Sequence, residues 1–81
     1  MEMGKVVERD YAEAVKWYKK AADQDNINAQ FALGEFYDLG FGVEENRAEA
    51  AKWYKIVAEK GDEESQYRLG ILYYNGNGLK Q

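Results

Sequence analysis

The stretch AEAVKWYKKAA, residues 12–22, returns 36 positions later as AEAAKWYKIVA, residues 48–58. Downstream of it, Gln30, Leu33, Gly34, Tyr37, Gly40 and Gly42 return as Gln66, Leu69, Gly70, Tyr73, Gly76 and Gly78. Laid over one another at this offset, residues 11–45 and 47–81 agree at fourteen of 35 positions. Both tryptophans and three pairs of glycines fall in one register. A fixed period of this length marks a chain built from stacked structural units. Extended towards the N-terminus, the register sets Gly4 opposite Gly40, Val7 opposite Val43 and Asp10 opposite Asn46. Residues 1–9 therefore read as the tail of a further, partial copy.

Apolar spacing inside each copy is helical. Ala14, Tyr18 and Ala21 follow i, i+4, i+7, with Trp17 and Ala22 beside them; Ala29, Leu33, Phe36 and Tyr37 form a second stripe. Ala50, Tyr54, Val57 and Ser65, Leu69, Leu72, Tyr73 repeat both. Asp10 with Glu13 and Asn46 with Glu49 have the spacing of capping boxes, and Asn26 and Asp62 suit the other two N-caps. Gly40 and Gly76 stand where left-handed C-caps belong, with Gly42 and Gly78 easing the turn. The reading is one all-α domain over 1–81, with helices at about 10–24, 27–39, 46–60 and 63–75. Connections alternate between about two and about six residues, which makes neighbours antiparallel. Gly34 and Gly70 lie mid-helix, where each costs about 1 kcal/mol against Ala. Their shared register predicts a helix crossing too close for a side chain.

These strings resemble the Sel1-like repeat family, an α/α superhelix or solenoid related to the tetratricopeptide class. The resemblance spans nearly the whole chain and rests on the paired Trp-Tyr and on the Leu-Gly and Tyr-x-x-Gly-x-Gly spacing in both copies. Val6 stands where the second loop glycine belongs, Asp25 replaces the glycine kept at Gly61, and Ser65 replaces the usual alanine.

Composition removes most enzyme chemistry. The 81 residues contain no Cys, His, Pro or Thr, and Ser65 is the only serine. Thiolate metal sites, the usual general base and nearly all hydroxyl nucleophiles are absent. Gly40–Gly42 follows a helix rather than a strand and lacks the rest of a phosphate loop. Asp23, Asp25 and Asn28 start like a calcium loop, but Asn28 and Gly34 occupy the positions that need Gly and Glu. Glu44–Glu45 and Asp62–Glu63–Glu64 lie at loops and helix starts, where the dipole favours acids. No cofactor and no metal is expected. Twelve aromatics would suit stacking on nucleic acid, yet the net charge is −4, and Lys16, Lys19, Lys20, Lys52 and Lys55 read as a solvated face. Neither nucleic acid nor a membrane is expected as a partner. No signal peptide and no membrane-length apolar run is visible. The cytoplasm is the expected compartment; the periplasm or secretion stays open where a signal has been removed.

Binding remains. The resemblance implies that the first helix of each repeat lines a concave groove and that the module is a non-catalytic scaffold or adaptor for a protein or peptide. Positions that differ between copies on those helices are the candidate contacts: Asn28, Glu35 and Asp38 on the first, Glu64, Arg68, Ile71 and Tyr74 on the second, with Ala32 opposite Arg68. Residues 1–45 carry five basic and ten acidic groups, net −5, and residues 46–81 six and five, net +1, so a basic partner would be steered to the N-terminal half. No polar capping unit is visible at either end, and the last helix is apolar, so covered ends are expected. The cover is a second copy, a partner, or the remainder of a longer repeat protein. The resemblance also brings a remote alternative, a β-lactam-binding or hydrolysing enzyme, but this chain lacks the cysteine pairs of such proteins.

Overall fold

Asn26, Asn46 and Asp62 each place a side-chain oxygen on a backbone N–H three residues ahead, those of Ala29 (2.9 Å), Glu49 (3.0 Å) and Ser65 (2.8 Å). These N-caps start three of the four helices in the computed structural model, which describes residues 3–75. The helices are α1 (Met3–Ala22), α2 (Ile27–Leu39), α3 (Arg47–Ala58) and α4 (Glu63–Asn75). Each packs against the next in chain order, giving an all-α solenoid. Among the described residues no helix is long and apolar enough to cross a membrane.

Gly40 ends α2 in the left-handed region, at φ 73°, and donates its N–H to the Phe36 carbonyl. Gly42, at φ 74°, lets the loop pass against α1. An added Cβ there would lie 2.6 Å from the Tyr11 carbonyl carbon and oxygen. Phe41 stacks on the Tyr11 ring, with centroids 5.0 Å apart, and holds the loop down. The expected cap at Gly76 and turn at Gly78 lie outside the described residues.

The start of α1 corrects the reading of residues 1–9 as a loop. The helix runs through residue 10, so Asp10 is interior rather than an N-cap. The cause lies at Val6, the register partner of Gly42. A β-branched residue resists the positive φ that this loop requires, and the intervening Lys, Glu and Arg are good helix formers. Glu13, freed from a capping role, accepts a hydrogen bond from Trp17 Nε1 at 3.0 Å. Asp25 carries the opposite burden. It stands in the register of Gly61 and adopts the same left-handed backbone, φ 69° against 98°.

Gly34 explains why glycine recurs mid-helix. The Tyr54 ring of α3 lies across it so closely that a Cβ would sit 2.6 Å from two ring carbons. Tyr54, Leu33 and Val57 are fully buried, and each contributes about 1.5–3 kcal/mol by leaving water. Val15, Ala22, Ala29, Leu33 and Trp53 form one buried cluster, and Ala50, Ala51, Tyr54 and Leu72 another; Tyr37 packs against both. The two matched glutamines tie the hairpins. Gln30 Nε2 donates to the Ala22 carbonyl and Gln66 Nε2 to the Ala58 carbonyl, each at 3.2 Å, satisfying a helix end.

Ser65 is fully buried, and its hydroxyl has no hydrogen-bond partner. It is out of reach of any solute and cannot act as a nucleophile where it stands. A buried unpaired hydroxyl costs about 1–3 kcal/mol. Ser65→Ala is therefore expected to raise stability by about 1 kcal/mol, which for a domain this small moves the melting temperature up by about 4–8 °C. Thermal unfolding checks this; an unchanged or lower midpoint would show that the hydroxyl is paired in solution.

Candidate functional site

Arg68 is the hub between the first helices of the two repeats. From α4 it reaches across to α2, where its guanidinium lies 3.1 Å from Glu35 Oε2 and 5.3 Å from the centre of the Phe31 ring. On its own helix its Nε donates to Glu64 Oε2 at 3.0 Å, the i, i+4 geometry. Its Nη1 lies 3.5 Å from the Tyr54 hydroxyl, which in turn donates to Asp38 Oδ2 at 3.3 Å. Asp38 also lies 3.8 Å from Arg47, which pairs more closely with Glu45 at 3.0 Å. One continuous polar chain thus links α2, α3 and α4.

The electrostatics follow from this arrangement. Burial disfavours the Tyr54 phenolate and, with the nearby Asp38 carboxylate, pushes the hydroxyl pKa up to about 12 against the Arg68 contact. Tyr54 is thus a neutral donor and not a proton carrier at ordinary pH. Burial works against the Arg68 charge, but its bonds to Tyr54 and Glu64 and the Glu35 carboxylate outweigh that and hold its pKa above the usual value.

Two shallow clefts flank this hub. One, of 210 Å³, is lined by Asp38, Glu64, Tyr67, Arg68 and Ile71. The other, of 140 Å³, is lined by Ile27, Asn28, Phe31, Val57, Asp62 and Glu64. Glu64 borders both. Five of the seven candidate residues, Asn28, Asp38, Glu64, Arg68 and Ile71, therefore line clefts, and Glu35 joins them through its ion pair. Tyr74 lines neither and stands exposed on α4. Asp38 is less available than its helical position suggested, because it shares the face of Gly34, four residues back, and is tied to Tyr54. Tyr67 and Phe31 line the clefts without having been singled out. They occupy one register position with similar side chains, so a search for differences between copies passes over them. Among the described residues, no group of three or more carboxylates gathers where it could hold a metal ion. The lysines cover tryptophan faces: Lys20 lies 5.4 Å from the Trp17 ring centre and Lys52 5.5 Å from that of Trp53.

The chain is thus a helical-repeat solenoid with a shallow polar-aromatic groove between α2 and α4. Family comparison makes the assignment specific: the Sel1 repeat model matches residues 1–26, 27–62 and 63–81, and the chain belongs to the Sel1 repeat family. It is also similar to a solved structure, a Sel1 repeat protein from Oxalobacter formigenes, at 42% identity and a TM-score of 0.78. That match covers 98% of this chain and 32% of the Oxalobacter protein, so this chain spans about a third of its relative's length. No match was found among curated proteins. Sel1 repeats generally serve as protein-interaction modules and are typically non-catalytic.

Proposed function

We propose that this chain is a non-catalytic interaction module that binds a peptide or protein segment along the α2–α4 groove. The observation that carries the reading is the meeting of the copy-specific residues Glu35, Glu64, Arg68 and Ile71 around two adjoining clefts. Carboxylates of Glu35 and Glu64 pair with the Arg68 guanidinium, Asp38 and Asp62 line the two clefts beside it, and Ile27, Phe31, Tyr67 and Ile71 supply apolar floor and walls. This chemistry suits an extended segment that carries basic groups beside an apolar anchor. Aromatic and arginine side chains in such settings supply most of the energy of protein interfaces. The share of the Oxalobacter relative that the chain covers fits a module that works within a longer array.

A displayed library of random peptides tests the reading without a known ligand. Selection on the chain is expected to enrich basic–apolar sequences. A double variant, Glu64→Lys with Ile71→Ala, which removes a carboxylate and the apolar anchor, is expected to bind the selected peptides at least about tenfold more weakly. Its helical content should stay unchanged, since both side chains lie at the surface of α4. Equal binding by the double variant would place the site elsewhere.

A further inference from the structure

The packing of α3 on α2, inside the repeat that spans residues 27–62, is built once, and each half of it recurs on an outer helix. Inside, Tyr54 of α3 enters the notch over Gly34 of α2, its ring centre 5.7 Å from that of Phe31, its hydroxyl on Asp38. Lys60 Nζ adds a bond to Gln30 Oε1 at 3.1 Å. Tyr54 is 0% exposed and Trp53 8%.

Thirty-six residues on, α4 offers the receiving half. Gln66, Tyr67, Gly70 and Tyr74 stand in the register of Gln30, Phe31, Gly34 and Asp38. Among the described residues a Cβ on Gly70 would meet nothing within 4 Å, so this face of α4 stands open where that of α2 is filled. Tyr67 is 68% exposed and Tyr74 88%. Thirty-six residues back, α1 offers the entering half. Residues 12–19 match residues 48–55 at every position but Val15/Ala51. Trp17 and Tyr18, partners of Trp53 and Tyr54, are 57% and 40% exposed.

We propose that a second copy of this chain docks head to tail, the outer face of its α1 on the outer face of α4, with Tyr18 entering the Gly70 notch as Tyr54 enters that of Gly34. The interior junction shows that these side chains, in this register, pack together completely. Charge favours the same pairing. Residues 1–45 carry −5 and residues 46–81 +1, so unlike ends attract while two N-terminal halves repel. Tyr74 in place of Asp38 removes the acceptor for the entering hydroxyl and makes the contact more aromatic than its template. Such a contact is heterologous and leaves one free end of each kind, so it propagates instead of closing as a dimer. It uses the outer faces of α1 and α4 and shares Tyr67 with the α2–α4 groove, whereas Gly70 and Trp17, the two positions substituted to test it, line neither cleft.

Light scattering on the intact chain, from micromolar to near-millimolar concentration, reads the assembly. The mass is expected to rise from 9.3 kDa through the dimer and beyond it. Gly70→Leu, which fills the notch, and Trp17→Glu, which charges the entering face, are each expected to remain monomeric over that range. An equimolar mixture of the two variants retains one intact end of each kind. It is expected to stop at twice the monomer mass. A wild-type chain that stays monomeric throughout overturns the proposal. Self-association of Gly70→Leu at the wild-type level overturns it too, as does a mixture that fails to pair. Gly70→Leu lies in open space on a helix surface, so its fold is not at risk.

Discussion

Gly34→Ala is expected to lower stability by about 1–3 kcal/mol, while Gly70→Ala, the same change one repeat later, raises it by about 1 kcal/mol. Both glycines sit mid-helix, where alanine is intrinsically the better residue. At Gly70 that preference acts alone, because nothing lies within 4 Å of the added methyl. At Gly34 the methyl would lie 2.6 Å from two carbons of the Tyr54 ring. The ring has nowhere to go. It is fully buried, packed on Phe31 and held at its hydroxyl by Asp38 and Arg68. Urea unfolding of the two variants reads both signs in one experiment. Equal gains at the two positions would mean that the α2–α3 crossing is looser than described.

Gly42→Ala is expected to cost about 3 kcal/mol or more, the largest loss of any methyl addition at the glycines Gly34, Gly42, Gly61 and Gly70. Two penalties combine there. The backbone φ of 74° is one that a side chain disfavours by about 1–2 kcal/mol. In addition, the new carbon would lie 2.6 Å from the Tyr11 carbonyl and 2.8 Å from the Ala12 nitrogen. These are backbone atoms of a helix and cannot rotate aside as a side chain can. Gly61→Ala isolates the first penalty, because Gly61 has φ 98° and open space around it. It is expected to cost about 1 kcal/mol. Small domains commonly hold only a few kcal/mol in reserve, so Gly42→Ala should leave a visible unfolded fraction before urea is added. Matching losses at the two positions would show that the loop does not press on α1.

The repeat, the bounds of α2 and α4 and the three N-caps at Asn26, Asn46 and Asp62 are legible in the sequence because each depends on residues close in the chain. A capping side chain reaches three residues ahead, and a glycine at positive φ declares its own turn. The start of α1 is not legible from the alignment alone, since overlaying copies extends a loop to residues 1–9 that Val6 cannot support. Exposure is harder still. Trp17 and Trp53 have nearly identical surroundings in sequence, yet one is solvent-facing and the other buried, because Trp53 packs with Val15 and Ala22 of α1 and Ala29 and Leu33 of α2. At the groove, differences between copies pointed to Glu35, Glu64 and Ile71, which stand about Arg68, and equally to Tyr74, which lines neither cleft. They overlooked Tyr67, which resembles Phe31, and they could not show that Asp38 is engaged by Tyr54, a contact between helices sixteen residues apart in sequence.

Chemical shifts locate where a ligand sits on this chain, and so report on binding at the α2–α4 groove. Titrating an isotopically labelled chain with a peptide selected from the library, followed by amide and side-chain chemical shifts, tests it directly. The account predicts that the largest changes fall on Asn28, Glu35, Glu64, Arg68 and Ile71, with the Arg68 guanidinium moving as Glu35 and Glu64 re-pair. Changes confined to the outer face of α1, or to α3, with Arg68 unmoved, would contradict it.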